Sequence, residues 1–341
     1  MDILISKGYI DDTKYSFKML APRNIKMTPE FKNIPLKVVG HLKGIFWEQL
    51  ELPFFSRDGL LINFCNSAPL VKTNSIVTIH DASVYGVSSA YSKKFQLWYK
   101  FLLPILGRRV KKVITDSSFS KNEIVHYCAI PSNKIDVVYL GRDHICNIKP
   151  DNKILDKYKL GKKTFLLAVS SMNPNKNFHS IAKAIKLLKH ENYKFVVAGE
   201  SNSTIFNTYE EAFAADVIKL GFVTDCELKA LYENASCFIY PSFYEGFGLP
   251  PVEAMACGCP VIVSDRASLP EVCGDAALYC NPYDVNDIAL KMKQLLDDQV
   301  LQESLRKQGL KRAETYNWES CAKKVFSHIT EVCSGENCHC S

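Results

Sequence analysis

Ten short apolar runs, rich in β-branched residues, recur along this chain and alternate with helical patterns. That alternation is the strongest constraint on its fold. The runs are 36–39, 60–64, 76–79, 113–115, 136–140, 165–169, 195–198, 217–220, 237–240 and 261–264. None shows the polar alternation of a half-exposed strand, so each reads as a strand buried on both faces, as in a parallel sheet. Segments such as 181–190, 225–234 and 252–257 carry helical spacing between them. Parallel neighbours need a crossover, usually a helix, so the expectation is α/β with doubly wound layers.

A chain of 341 residues suggests two such domains. The pattern breaks over 146–160, a polar stretch with Pro150 and four lysines. The expected division is therefore an N-terminal domain over 1–148 and a second domain over 149–312. A helix over 313–332 and a mobile Cys-rich tail over 333–341 follow. Asp284 is placed to cap a helix running to about Asp297, and Ser117 to cap the helix after 113–115. The thirteen cysteines are an odd number, are scattered, and include no Cys-x-x-Cys pair, so they read as reduced thiols filling the core. The tail cluster Cys333, Cys338, His339 and Cys340 is conceivable as a zinc site but lacks a second ligand pair. No apolar run is long enough for a membrane span, and the N-terminus does not read as a secretory signal.

The most informative stretch is 241–254, Pro-Ser-Phe-Tyr-Glu-Gly-Phe-Gly-Leu-Pro-Pro-Val-Glu-Ala. It follows the run 237–240. Gly246 and Gly248 allow close backbone approach to a ligand, and Pro251 suits the start of a helix. A helix start offers N–H groups to an anion, while Glu245 and Glu253 can accept hydrogen bonds from hydroxyls. A phosphate joined to a polyhydroxylated group would satisfy both. The plainer reading is a glycine-rich strand-to-helix turn with Glu253 favourably placed on the helix dipole.

Glu245 and Glu253, with seven residues between them, resemble the E-x7-E motif of retaining glycosyltransferase family 4. The surroundings are similar through Ala254-Met255-Ala256-Cys257-Gly258-Cys259-Pro260-Val261-Ile262 and Leu269-Pro270-Glu271-Val272. So are Ile76-Val77-Thr78-Ile79-His80-Asp81 and Ile114-Thr115-Asp116-Ser117-Ser118-Phe119-Ser120-Lys121 upstream. Ile45-Phe46-Trp47-Glu48-Gln49-Leu50-Glu51-Leu52-Pro53 resembles the mannosyltransferase-like branch that assembles bacterial polysaccharide. The resemblance covers nearly the whole chain. It implies the GT-B fold: two Rossmann-like domains with a cleft between them and the donor held mainly by the second.

The same resemblance gives site roles. Glu245 would hold the sugar hydroxyls and Glu253 the ribose. Lys176, beyond the run 165–169, would meet the diphosphate together with the backbone of Gly246, Phe247, Gly248 and Leu249. A lysine at the mouth of a parallel sheet suits that task, although it reads equally as a solvated loop residue. The family commonly has Arg five residues before this Lys, where this chain has Ser171. His80 would face the sugar, and Asp81 either shares that role or caps the following loop. Gly221 and Val223 would lie near the nucleobase, or form a plain tight turn.

No Asp-x-Asp occurs and no metal-ligand spacing is convincing, so no tightly held metal is expected. Lys176 and helix-start amides would stabilise the leaving group. No Gly-x-Gly-x-x-Gly follows the first strand, which argues against a nucleotide-dependent dehydrogenase. Residues 1–150 hold 21 Lys and Arg against 12 Asp and Glu; the remainder holds 21 against 24. The excess concentrates in the stretch from Tyr91 to Lys112, which has seven basic residues, five interleaved aromatics and no acid. It reads as a segment for an anionic membrane surface or as a core helix with a solvated basic face. No nucleic-acid motif supports a third reading.

The implied function is a retaining hexosyltransferase, with mannose from GDP-mannose the best match. Its acceptor would be a saccharide or lipid-linked saccharide in surface polysaccharide assembly, at the cytoplasmic face of the membrane. A sugar-nucleotide epimerase of the same fold, or a non-catalytic nucleotide-sugar-binding partner, are the alternatives. At the N-terminus, 1–7 reads as the end of a helix closed by Gly8, with 17–20 as the strand after it. That reading expects a first strand and its glycine-rich loop to be missing from the N-domain.

Overall fold

A computed structural model describes residues 1–87, 90–162, 164–169, 174–188, 193–199 and 217–334. The chain packs as two units. The first comprises Met1–Tyr85, Ser92–Tyr139 and Trp318–Ser341; the second comprises Gly86–Tyr91 and Leu140–Asn317.

In the second unit six strands form one parallel sheet. They are β7 (Phe165–Val169), β8 (Lys194–Ala198), β9 (Val217–Gly221), β10 (Cys237–Tyr240), β11 (Val261–Ser264) and β12 (Leu278–Cys280). Their spatial order is β12-β11-β10-β7-β8-β9, all parallel. The chain adds strands outward from β7 in one direction, then returns to place β10 on the other side of β7. This reversal is a topological switch point, where ligands of open α/β sheets bind beyond the strand C-termini.

Both faces of the sheet are covered, which explains the uninterrupted apolar runs. Leu166, Ala168, Cys237, Ile239 and Ile262 pack with Ile181, Ala184 and Ile185 of the Phe178–Leu188 helix and with Ile288, Met292 and Leu295 of the Val285–Asp297 helix. On β10 the intervening Phe238 packs edge-on against Tyr232 of the Asp225–Asn234 helix. Thr224 and Glu227 form a reciprocal capping box that starts the latter helix. Asp284 caps its helix as expected, by accepting from Asn286 and Asp287. Strand β12 is not among the runs read from the sequence; Leu-Tyr-Cys lacks the β-branched residues that mark the others.

In the first unit the strands make two parallel sheets. Among the described residues β1 (Met19–Ala21) pairs only with β2 (Leu36–Val38). β3 (Leu61–Asn63), β4 (Ser75–Thr78), β5 (Lys112–Thr115) and β6 (Ile135–Val137) form the other sheet in chain order. The run pattern predicts strands without predicting their partners, so this split was not legible. Ser117 caps the Ser118–Cys128 helix by accepting from the Ser120 amide. Asp2–Ser6 is helical with Leu4 buried, and the Gly8 amide bonds back to the Ile5 carbonyl. The strand expected at 17–20 lies at Met19–Ala21.

The contacts divide the chain earlier than the composition break at 148. The reason is local: the Arg142 amide bonds the Tyr316 carbonyl, the Asp151 amide bonds the Cys226 carbonyl, and Lys229 Nζ bonds the Cys146 carbonyl. These bonds hold 140–148 in the second unit. At the other end the first unit takes up the helix Trp318–Ser334, whose Val325 and Ile329 pack with Ile76, Ile114 and Val138. Of the tail, Cys338, His339 and Cys340 lie outside the described residues.

Candidate active site

The site in the second unit is built on the loops that leave β7 and β10, the two strands flanking the switch point. After β7 the chain reaches a tight turn, Pro174–Lys176; Ser171 lies outside the described residues. The Asn175 carbonyl accepts from the Phe243 amide at 2.9 Å. Asn177 Nδ2 donates to the carbonyls of Pro241 (3.1 Å) and Pro282 (2.7 Å). Two buried asparagines thereby tie the β7 loop to the β10 loop.

This tie brings Lys176 onto Glu245. Lys176 Nζ donates to Glu245 Oε1 at 2.7 Å and Oε2 at 3.0 Å. It also donates to the Tyr240 hydroxyl at 2.6 Å and lies 5.0 Å from that ring's centre. The two charged side chains are 19% and 11% exposed. Ser268 Oγ donates to the Glu245 carbonyl at 2.9 Å and holds the loop from behind. Tyr240 is buried; its burial, then the charge of Glu245 and that of Glu253, hold its hydroxyl well above the ordinary tyrosine range.

The helix after the loop is Leu249–Ala256. It begins earlier than expected, with Pro250 and Pro251 in its second and third positions rather than Pro251 in the first. Prolines have no N–H, so of the first helix-start groups only Gly248 and Leu249 offer a donor. The anion site read from the sequence is narrower than a full helix start. Gly248 sits at φ +93°, and a Cβ there would meet Leu269 Cδ2 at 2.6 Å, so only glycine fits this position. Gly246, Phe247 and Gly248 are buried, and Phe247 packs edge-on against Tyr316.

Glu253 is buried and paired. His144 Nε2 lies 2.7 Å from Glu253 Oε1, and the Tyr232 hydroxyl donates to Oε2 at 3.4 Å. The hydrogen bond to Glu253 is the largest cause holding the His144 imidazole above its ordinary pKa. Gly221 ends β9 at φ +72°, and Val223 follows in the short link to the Thr224 cap. Both lie at the C-terminal end of the sheet's edge strand.

His80 belongs to the first unit and follows β4. Its Nδ1 lies 2.8 Å from Asp116 Oδ2, at the end of the adjacent β5, and its Nε2 lies 2.9 Å from the Phe64 carbonyl. Both nitrogens face acceptors, which is the arrangement of a protonated ring. The hydrogen bond to Asp116 is the first cause pushing its pKa up to about 10, followed by one with Cys65. This geometry favours the protonated ring, although burial also raises the pKa of Asp116. Asp81 caps its loop, accepting from the Ser83 amide at 2.8 Å.

Sequence reasoning missed His144, Asp116 as the partner of His80, and Tyr240. Only Asp116 carried a signal, since it ends one apolar run as His80 ends another. Among the described residues one group of three metal-capable side chains gathers, Asp136, His328 and Glu331 in the first unit. Lys112 Nζ already lies 2.7 Å from Asp136 and 3.4 Å from Glu331, so that group has its cation.

Residues 151–312 match the family model described as glycosyl transferases group 1. O-antigen chain mannosyltransferase B of Escherichia coli is 33% identical over 263 residues, 74% of this chain and 69% of that protein. O-antigen chain mannosyltransferase RfbU of Salmonella typhimurium is 33% identical over 70% of this chain and 65% of its own length. Among solved structures, Anabaena HepE in complex with UDP-glucose superposes with a TM-score of 0.71 at 17% identity, covering 89% of this chain and 87% of that one. The fold is GT-B. The chain belongs to the group 1 glycosyl transferases and is a hexosyltransferase of that family.

Proposed function

We propose that this chain is a retaining mannosyltransferase that moves mannose from GDP-mannose to a saccharide or lipid-linked saccharide acceptor during surface polysaccharide assembly. The observation that carries the reading is the Lys176–Glu245 pair at the switch point between β7 and β10. It sets a cation for the diphosphate beside a carboxylate for sugar hydroxyls. The names of the two O-antigen relatives support mannose and polysaccharide assembly, and the UDP-glucose bound to HepE supports a nucleotide-sugar as donor.

In this reading Glu245 accepts hydrogen bonds from the sugar, and Lys176 with the Gly248 and Leu249 amides takes the diphosphate. Glu253 accepts from the ribose, and Gly221 and Val223 border the base. His80 is given a sugar contact on the resemblance alone. No protein nucleophile is assigned. The C1–O bond to the phosphate breaks, the acceptor oxygen bonds C1 from the same face, and the acceptor proton passes to the departing phosphate. No step is assigned to a metal. Incubation with a panel of nucleotide-sugars, with and without membrane lipid extract and read by mass spectrometry, tests this. The expected product is a hexosylated lipid or saccharide from GDP-mannose only when acceptor is present. An altered sugar-nucleotide without acceptor would point to an epimerase, and no product would point to a non-catalytic binding partner.

We also propose peripheral contact with an anionic membrane. No helix among the described residues is long and apolar enough to cross a membrane. The helix Lys93–Arg109 exposes Phe95, Leu97 and Phe101 beside Lys93, Lys94 and Lys100. The structure narrows the basic stretch read from the sequence. Lys112 is held by Asp136 and Glu331, while Arg108 and Arg109 donate to the carbonyls of Ala129 and Leu70. Replacing Lys93, Lys94 and Lys100 by Gln is expected to weaken binding to phosphatidylglycerol vesicles by roughly 10²-fold, at about 1 kcal/mol per charge. Binding to neutral vesicles should not change. Equal sedimentation of wild type and variant with anionic vesicles would refute the contact.

A further inference from the structure

We propose that His144 is a positioning residue for the donor: its imidazole fixes the Glu253 carboxylate in the orientation that receives the ribose hydroxyls. The inference rests on the reading of Glu253 as the ribose ligand.

A carboxylate offers about four lone-pair sites. His144 Nε2 occupies one on Oε1 at 2.7 Å, and the fully buried Tyr232 hydroxyl approaches Oε2 at 3.4 Å. The remaining sites match the two hydroxyls of one ribose. A buried carboxylate without a strong donor is costly, and His144 supplies that donor while leaving capacity for a ligand. The imidazole itself sits on a fixed platform. It lies in the short helical turn Asp143–Cys146. On one side Arg142 Nε donates to the Ala313 carbonyl, and its amide donates to that of Tyr316. On the other, Lys229 Nζ donates to the Cys146 carbonyl at 3.0 Å. The turn is therefore held at both ends, and His144 meets Glu253 across 109 residues of sequence. Without His144, Glu253 keeps, among the described residues, only the long bond to Tyr232 and can rotate about its own side-chain torsions.

A cycle of variant against ligand tests this. Wild type, His144→Ala and His144→Gln are titrated calorimetrically with GDP and with 2′,3′-dideoxy-GDP. The same is done with UDP and 2′,3′-dideoxy-UDP, and the nucleotide bound more tightly is used. Wild type is expected to prefer the ribose form by 10-fold or more. His144→Ala should lose about 10-fold in affinity for the ribose form and nothing for the dideoxy form, so the preference collapses. His144→Gln, whose amide can still donate, should restore most of it. In turnover, donor KM should rise while kcat changes less than twofold. Equal losses for both ligands, or no loss for either, in a folded variant would overturn the inference and leave the ribose role of Glu253 standing. A wild type that binds both ligands equally would remove that role and the inference together.

Discussion

Glu245→Gln is expected to lower kcat/KM by about 10²- to 10³-fold with melting temperature nearly unchanged, the scale set by losing one preorganised polar group from a reacting site. Gln keeps the shape of the side chain but loses its charge and half of its acceptor capacity. In the free protein the change also removes the negative charge opposite Lys176 Nζ, leaving that ammonium an amide oxygen at best and the Tyr240 hydroxyl. Steady-state kinetics beside a thermal melt checks it. A variant with at least half of wild-type activity would remove Glu245 from the site.

Lys176→Ala is expected to raise donor KM by roughly 10²-fold or more, because breaking a buried, hydrogen-bonded charge pair costs about 2–5 kcal/mol. Two effects act in the same direction. The diphosphate loses its cation, and the Glu245 carboxylate, 2.7 Å from Nζ in the native pair, is left uncompensated beside an anionic ligand. The pair should therefore couple with a definite sign. Lys176→Ala/Glu245→Gln should bind the donor better than Lys176→Ala alone, while turnover stays at the level of Glu245→Gln. Nucleotide-sugar titrations of the two single variants and the double variant measure this. If the double variant binds no better than Lys176→Ala, the carboxylate does not face the diphosphate.

Much of the second unit was legible because its signals are local. The runs at 165–169, 237–240 and 261–264 became β7, β10 and β11 with identical bounds, and 225–234 became its helix. A strand covered on both faces needs an unbroken apolar run, and a capped amphipathic helix is written within a few turns of chain. The helix after the Glu245 loop starts two residues before the proline taken as its start, since Pro250 and Pro251 are tolerated in a first turn and do not mark its first residue. The contact division falls before the polar, lysine-rich stretch because such a stretch records exposure, whereas hydrogen bonds to Ala313, Tyr316 and Cys226 decide which unit a segment joins.

The sequence by itself determined the α/β class, the spacing of Glu245 and Glu253, and the place of Lys176 just past a buried strand. Tertiary structure alone decided what each of these groups meets. Lys176 finds Glu245 across 69 residues, Glu253 finds His144 across 109, and His80 finds Asp116 across 36. Local sequence encodes neighbours within about one helical turn or along one strand face. Partners this distant depend on which strands lie side by side and on where their loops emerge. Strand order, above all the return of the chain to set β10 against β7, is a property of the assembled sheet that no single segment carries.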